Sequence, residues 1–100
     1  MLTLSLLILR SPTTSANNVG KQTYVQKCAA CHNLNPTKPG SIGPELFTTP
    51  LDVFRTKVPT GTYPSGYTPK RHTKIMPKFP GLKDKVDLIY NYIQTFKGKK

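Results

Sequence analysis

The sequence is poor in several residue types, and each shortage narrows what the chain can be. It contains no tryptophan and only two cysteines, two histidines and four acidic residues among 100. So few thiols and imidazoles leave little for a structural zinc site, which needs four ligands of those kinds. A chain of this length forms one domain, and its core stays small unless a large apolar group is added to it.

The shortage of acidic residues leaves a net charge of +11, from 15 basic and four acidic side chains. Such a charge attracts anionic partners, which include nucleic acid, lipid head groups and acidic protein surfaces. The basic residues are scattered between Lys21 and Lys78 and cluster only at Lys97, Lys99 and Lys100. Because no Lys/Arg-rich block or nucleic-acid motif accompanies them, we predict no nucleic-acid partner.

The N-terminal segment has the features of an export signal. Residues 2–9 are an apolar run too short to span a bilayer, and residues 11–16 end in the small residues that a signal peptidase reads. We therefore expect a signal peptide over residues 1–16, cleaved after Ala16, and one domain over residues 17–100. No basic residue precedes the apolar run, so an uncleaved anchor on the membrane surface and a misplaced start codon stay open as alternatives.

The most specific motif is Cys28-Ala29-Ala30-Cys31-His32. Two cysteines separated by two residues, with a histidine directly after them, is the spacing at which a c-type haem is attached covalently. On one helical turn the two sulfurs can reach the two vinyl groups of one porphyrin edge, while His32 points at the iron. Cys-x-x-Cys also occurs in redox dithiols, in disulfides and in half of a zinc site, and these interpretations remain as alternatives. Zinc would need further ligands, for which the chain offers only His72 besides.

Three helices are predicted. The first begins near Asn17 or Asn18, either of which can cap it, and leads into the cysteine motif. The second has Thr49 as its cap and Pro50 as its first residue, and it ends before Pro59. The third carries an apolar stripe at helical spacing, which consists of Leu82, Val86, Ile89, Ile93 and Phe96.

Loops are predicted between these helices. Residues 33–49 contain prolines and glycines that exclude a helix or a central strand, and residues 61–69 are rich in turn residues. Lys97, Lys99 and Lys100 follow the third helix, where positive charge suits the negative end of the helix dipole.

The spacing Gly20-x-x-x-Tyr24-x-x-x-Cys28-x-x-Cys31-His32 resembles the opening helix of the class I c-type cytochromes, small monohaem carriers of bacterial and photosynthetic systems. The resemblance implies an all-α class I cytochrome c fold, with crossed N- and C-terminal helices and loops wrapped around one covalently bound haem c. It also implies that Gly20 lets the C-terminal helix cross at close range, with Tyr92 packed on this glycine. A mid-helix glycine costs about 1 kcal/mol relative to alanine, and a close crossing would explain it. The alternative is a glycine that is tolerated near a frayed helix end.

Gly43-Pro44-Glu45-Leu46 is similar to the family's turn beneath the haem histidine. The similarity implies that the Pro44 carbonyl accepts the Nδ1–H of His32, which would fix the orientation of the imidazole and raise its basicity. It also implies that Leu46 touches the ring. A common Gly-Pro turn without this role is the alternative.

Met76-Pro77-Lys78-Phe79 is similar to the family's methionine loop. The similarity implies that Met76 is the second axial iron ligand, opposite His32. A methionine that only fills the core is one alternative, and ligation by His72 is another. Many relatives have a helix before this methionine, and the turn-rich residues 61–69 depart from them.

The implied function is electron transfer and not catalysis. With both axial positions filled, oxygen and peroxide have no place to bind, and histidine/methionine ligation implies a higher reduction potential than bis-histidine ligation. The alternatives are a haem c protein with an open or labile sixth site, which would act as a ligand sensor or like a peroxidase, and a haem-free basic binding module. Since the family attaches its haem outside an energy-conserving membrane, we expect export to a periplasm or thylakoid lumen.

The expected partners are acidic redox proteins that bind transiently to a monomer. Lys27, Lys74 and Lys78 flank the attachment motif and Met76, so they would surround the exposed haem edge and steer such partners. Membrane contact is expected only through an uncleaved N-terminus or within a membrane complex.

Overall fold

The computed structural model describes residues 16–71 and 73–97. Its helices are α1 (Ala16–Lys27), α2 (Ala29–His32), α3 (Leu51–Thr60), a 3₁₀ helix (Pro80–Lys85) and α4 (Val86–Gln94). These residues contain no strand, which confirms the all-α class. The predicted export signal lies outside the described residues except for Ala16, and so do His72, Lys99 and Lys100.

Helices α1 and α4 pack directly against each other, and Gly20 lies at their closest approach. A Cβ atom built on Gly20 would be 2.2 Å from the backbone oxygen of Leu88 and 3.2 Å from the Cβ of Tyr92. Real Cβ atoms do not approach a backbone oxygen so closely, so only glycine allows this contact. The predicted close contact between Gly20 and Tyr92 is confirmed, and the tolerated-glycine alternative is wrong.

The core lies beside this contact. Tyr24 is fully buried, its ring centre is 5.7 Å from that of Tyr92, and its hydroxyl donates to the carbonyl oxygen of Asn33. A buried tyrosine needs such an acceptor, because an unpaired hydroxyl in the core is costly. The buried cluster consists of Tyr24, Phe54, Val58, Val86, Ile89 and Ile93.

Two predicted helix starts are wrong by one or two residues. Helix α1 already contains Ala16, Asn17 and Asn18, so it begins earlier than expected. In α3 the cap residue is Pro50, with an extended backbone, and Leu51 is the first helical residue. Thr49 precedes this cap and makes no capping bond; its Oγ1 accepts a hydrogen bond from Lys70 at 3.0 Å.

Helix α3 also passes through Pro59, where the sequence predicted its end. Proline removes one helical hydrogen bond, which costs little when the helix stops within the same turn. Gly61 closes the helix in a left-handed conformation, with φ of 79°, and its N–H donates to the Lys57 carbonyl at 2.8 Å. This is the usual glycine ending of a helix.

The third predicted helix is divided into two. Residues Pro80–Lys85 form the 3₁₀ helix, and regular α-helix begins only at Val86. Proline and glycine at the start disfavour α-helical geometry, and the Leu82 N–H bonds to the Phe79 carbonyl in the tighter pattern. The stripe is confirmed as core, since Val86, Ile89 and Ile93 are almost fully buried. Leu82 and Phe96 are only partly buried, and Phe96 lies in the turn after α4.

The predicted loops are present. Residues 33–49 and 62–71 contain no helix or strand, and the left-handed glycines Gly61 and Gly66 provide turns. These loops carry the chain from α2 to α3 and from α3 to the 3₁₀ helix. Both loops contribute residues to the lining of one cavity.

Candidate functional site

One cavity brings together all six residues that the sequence predicts for a cofactor site. The cavity is open to solvent, and its volume is about 1170 Å³ when the solvent at its mouth is included. The end of α1 and the short α2 form one wall. Apolar side chains of α3 and α4 line the cavity as well, namely Val53, Phe54, Val58 and Ile89. The six predicted residues in the lining are Cys28, Cys31, His32, Pro44, Leu46 and Met76.

The two cysteines follow a helical path into this cavity. The N–H of Cys28 donates to the Tyr24 carbonyl at 2.9 Å, so the hydrogen-bond pattern of α1 continues to this residue. The Cys28 carbonyl in turn accepts the N–H of His32 at 3.0 Å, which starts the turn of α2. Because residues three apart on a helix share a face, both thiols lie at the cavity.

Both thiols are free, and Cys28 lacks the character of a redox-active cysteine. Burial, followed by the neighbouring Cys31, raises the pKa of the Cys28 thiol to about 11. Redox dithiols depend instead on a lowered pKa, which produces a thiolate near neutral pH. The surroundings of Cys28 therefore disfavour a thiolate at this position.

His32 is buried, with 8% of its surface exposed, and its orientation is fixed by one hydrogen bond. Its Nδ1 lies 2.9 Å from the Pro44 carbonyl oxygen, which can only accept, so Nδ1 carries the proton. The pKa of His32 lies below its usual value. Burial lowers this pKa most, the hydrogen bond to Pro44 raises it, and the positive charge of Arg71 lowers it further. The imidazole is therefore neutral at neutral pH, and Nε2 keeps a lone pair with which it can bind a metal.

Two glycines allow the loop after α2 to approach His32 closely. A Cβ atom on Gly43 would be 2.3 Å from Cε1 and 2.4 Å from Nδ1 of His32, inside the space of the ring. A Cβ atom on Gly40 would be 2.0 Å from the Cys31 carbonyl oxygen. The Gly43 N–H donates to that same oxygen at 2.8 Å. Residues 40–44 therefore form a close-fitting cradle for His32.

Met76 reaches the cavity from the connection between α3 and the 3₁₀ helix. Residues 73–78, which we call the Met76 segment, contain neither helix nor strand, and they make no hydrogen bond to the rest of the described chain. The bond from the Phe79 N–H to the Val58 carbonyl, at 2.7 Å, anchors the C-terminal end of the segment to α3. Met76 is partly buried and packs against the core cluster.

Several apolar side chains at the cavity remain exposed to solvent. Ile75 is 63% exposed, Ile42 is 38% exposed and Tyr63 is 37% exposed, and all three line the cavity. Large apolar side chains that lie together at the surface usually mark a place where something apolar binds. The lining thus suits an apolar group that would cover these residues.

Positive charge accompanies this apolar lining. Lys27, Lys57, Lys70 and Arg71 all contribute to the cavity, and no described lining residue is acidic. Lys57 Nζ lies 4.3 Å from the ring centre of Tyr63, which in turn stacks on Tyr67 with 5.5 Å between ring centres. The cavity therefore suits an apolar group that also carries negative charge.

Lys70 belongs to the densest polar network of the site. Its Nζ donates to Glu45 Oε1 at 2.6 Å, to Thr48 Oγ1 at 2.8 Å and to Thr49 Oγ1 at 3.0 Å. Burial works to raise the pKa of Glu45, but hydrogen bonds from Lys70 and Thr48 outweigh it and hold that pKa below its usual value. Arg71 adds a bond from Nη2 to the Gly40 carbonyl at 3.2 Å.

Most of these polar residues gave no signal in the sequence. Lys70 and Arg71 resemble any other scattered basic residues, and nothing local links Lys70 to Glu45, 25 positions away. Gly43 belongs to the predicted Gly43-Pro44-Glu45-Leu46 turn, but nothing in the sequence indicated its close approach to the His32 ring. Tyr63 and Tyr67 carried no signal beyond their turn-rich surroundings.

Comparison of the chain with models of known protein families, with characterised proteins and with solved structures found no match. Within residues 16–71 and 73–97, no three histidine, cysteine or acidic side chains come together as a metal site. None of the helices in these two ranges is long and apolar enough to cross a membrane.

Proposed function

We propose that this chain is a haem c protein of the class I cytochrome type that carries single electrons between redox proteins. The observation that supports the proposal most strongly is the convergence of Cys28, Cys31, His32 and Met76 on one largely apolar cavity. These residues come from two distant parts of the chain, and a motif that arose by chance would not explain why the fold brings them together. The exposed apolar side chains and the cations of the lining suit a ring that is apolar but carries carboxylates.

In this proposal each of the four residues has a distinct role. Cys28 and Cys31 would hold the haem through thioether bonds, and His32 and Met76 would bind its iron. The bound haem supplies a metal centre that changes its charge by one electron. Imidazole and thioether together favour the reduced iron more than two imidazoles do, which raises the reduction potential.

The other residues of the chain tune and protect this centre. The hydrogen bond from His32 Nδ1–H to Pro44 keeps Nε2 available and the imidazole in one orientation. Leu46, Phe54 and the other apolar lining residues keep water away, so that little rearrangement accompanies a change of charge. We further propose that the protein is exported, in keeping with the composition of residues 1–16.

A spectrum of the purified holoprotein tests this function directly. Expressed with a cytochrome c maturation system, the protein should carry haem that resists acid–acetone extraction, with sharp reduced bands and the weak far-red band of sulfur-bound ferric iron. A colourless protein would contradict the proposal and favour the haem-free basic binding module. Attached haem without the far-red band would favour the alternative with an open sixth site.

The Met76→Ala variant should keep its haem but open the iron to external ligands. We expect carbon monoxide binding to rise from undetectable to stoichiometric and the reduction potential to fall, because the thioether that favours ferrous iron is lost. Optical titration and potentiometry measure both. His72→Ala is the matched control and should leave both unchanged; the assignment of Met76 is wrong if His72→Ala has these effects and Met76→Ala does not.

We propose acidic redox proteins as the partners. Two of the four acidic side chains are held in ion pairs, Glu45 with Lys70 and Asp87 with Arg55, so few carboxylates offset the surface cations. Lys74 and Lys78 are exposed on either side of Met76, and Lys27 lines the cavity beside the cysteines. These three lysines would bring a partner to the haem edge through a small, short-lived interface.

Electron transfer to an acidic partner should therefore slow steeply with added salt. The Debye length is about 8 Å at physiological ionic strength, so salt screens this attraction strongly. Lys74→Glu combined with Lys78→Glu should lower the second-order rate by about tenfold or more, as stopped-flow mixing would show. Lys21→Glu combined with Lys97→Glu makes the same charge change on exposed residues outside the cavity lining and should cost little. Equal effects from the two pairs would mean that net charge alone attracts the partner.

A further inference from the structure

The Met76 segment connects to the His32 side of the cavity through two adjacent residues. Lys70 and Arg71 lie shortly before the segment, and both donate hydrogen bonds across the cavity lining to the loop that follows His32. Lys70 bonds to Glu45, the residue directly after Pro44, and Pro44 is the hydrogen-bond acceptor of His32. The two sides of the site are thus linked by a continuous series of contacts.

The partner of Lys70 is itself firmly held. The N–H groups of Leu46 and Phe47 both donate to the Pro36 carbonyl at 3.0 Å, and the Gln94 side chain of α4 donates to the Phe47 carbonyl at 3.2 Å. Residues 45–49, which we call the anchor turn, are therefore fixed to the body of the fold. A bond from Lys70 to this turn restrains the chain that carries Met76.

The bond is also of a strong kind. The side chains of Lys70 and Glu45 are only 28% and 26% exposed. Lys70 Nζ has four acceptors within 3.2 Å, which include both the carboxylate and the carbonyl of Glu45. Charged hydrogen bonds in partly buried places are stronger than exposed ion pairs, which contribute little.

From these contacts we infer that Lys70 and Glu45 are positioning residues, which fasten the Met76 segment to the anchor turn and so hold Met76 at the cavity. The inference rests on the proposed function, because holding a thioether in place matters most for an iron ligand. The Met76 segment makes no hydrogen bond of its own within the described chain, so apart from the packing of Met76 on the core cluster it is restrained at its two ends. Phe79 secures one end, and Lys70 together with Arg71 secures the other.

The test compares Lys70→Leu and Glu45→Gln in the holoprotein, with imidazole as a neutral external ligand of ferric iron. Loss of the restraint should let Met76 leave more readily, so both variants should bind imidazole about tenfold more tightly and weaken the far-red band. The two substitutions change charge in opposite directions. A purely electrostatic effect on the iron would therefore shift the reduction potential in opposite directions, whereas loss of the restraint lowers it in both. The double variant should differ little from either single one.

Asp87→Asn is the matched control, because it removes the other ion pair, between α3 and α4, away from the cavity lining. It should leave imidazole affinity unchanged. Potential shifts of opposite sign in the two variants, or unchanged imidazole affinity while the wild-type protein shows the far-red band, would overturn the inference.

A second measurement does not depend on the iron ligand. Limited tryptic cleavage after Lys74, within the Met76 segment, should be several times faster in Glu45→Gln than in the wild-type protein or Asp87→Asn, because a released segment opens more often. If Glu45→Gln is cleaved faster but the wild-type holoprotein lacks the far-red band, the restraint by Lys70 and Glu45 is supported. The assignment of Met76 as iron ligand is then wrong. Unchanged cleavage in Glu45→Gln would overturn the inference whichever ligand binds the iron.

Discussion

Gly20→Ala should lower the free energy of unfolding by about 3 kcal/mol, the upper part of the range for overpacking at a close contact. The added Cβ would lie 2.2 Å from the Leu88 backbone oxygen, and neither helix can yield at that point through a side-chain rotation. Helices α1 and α4 must therefore move apart, which loosens the packing of Tyr24 on Tyr92. Thermal or urea unfolding of the variant measures the loss, and Gly20→Val should be more destabilising still.

Gly81→Ala is the control for this experiment. A Cβ atom on Gly81 meets nothing within 4 Å, and its backbone does not have a positive φ. Replacing such a glycine should be neutral or stabilise by about 0.5 kcal/mol, because the unfolded chain loses freedom. Similar stability of the Gly20 and Gly81 variants would contradict the close contact between α1 and α4.

Gly43→Ala should disturb the site while leaving most of the fold intact. Its Cβ would lie 2.3 Å from Cε1 of His32 and 2.7 Å from Nε2, so the imidazole and the loop cannot both keep their places. Either the ring turns away or the loop withdraws, and in both cases the hydrogen bond from Nδ1 to Pro44 is lost. We expect the sharp low-spin bands of the holoprotein to be largely lost, because the histidine no longer meets the iron in one orientation.

Visible spectroscopy of the purified variant measures this effect, and circular dichroism reports whether the helices remain. Ser41→Ala, an exposed change in the same turn, should leave the spectrum as in the wild-type protein. If Gly43→Ala keeps an unchanged spectrum and potential, the cradle around His32 does not control iron ligation.

The ion pair between Arg55 and Asp87 differs from the Lys70–Glu45 pair in its exposure to solvent. Its geometry is good, with Nε to Oδ1 at 3.0 Å and Nη2 to Oδ2 at 2.8 Å, but both side chains are more than half exposed. Water screens such a pair, and its contribution to stability is small. The Lys70–Glu45 pair is less exposed to water, and Lys70 lines the cavity. We therefore expect its loss to affect the site more than loss of the Arg55–Asp87 pair.

The sequence by itself determined the features that depend on neighbours within one helical turn. The spacing of Cys28, Cys31 and His32 places them on one turn wherever that turn lies, and the stripe of Val86, Ile89 and Ile93 predicts a buried face in the same way. Proline and glycine between residues 33 and 49 exclude regular structure locally. These predictions needed no knowledge of the rest of the chain.

The tertiary structure decided what depends on residues far apart in the sequence. Thr49 had the chemistry of a helix cap, but Pro50 is the cap residue and the Thr49 hydroxyl accepts from Lys70, which only the folded loops bring close. Helix α3 passes Pro59 and ends only at Gly61, which has a left-handed conformation. The cradle of His32 and the pairing of Lys70 with Glu45 arise for the same reason: a loop's own residues do not encode which distant surface it will meet, and that is fixed only when the helices pack.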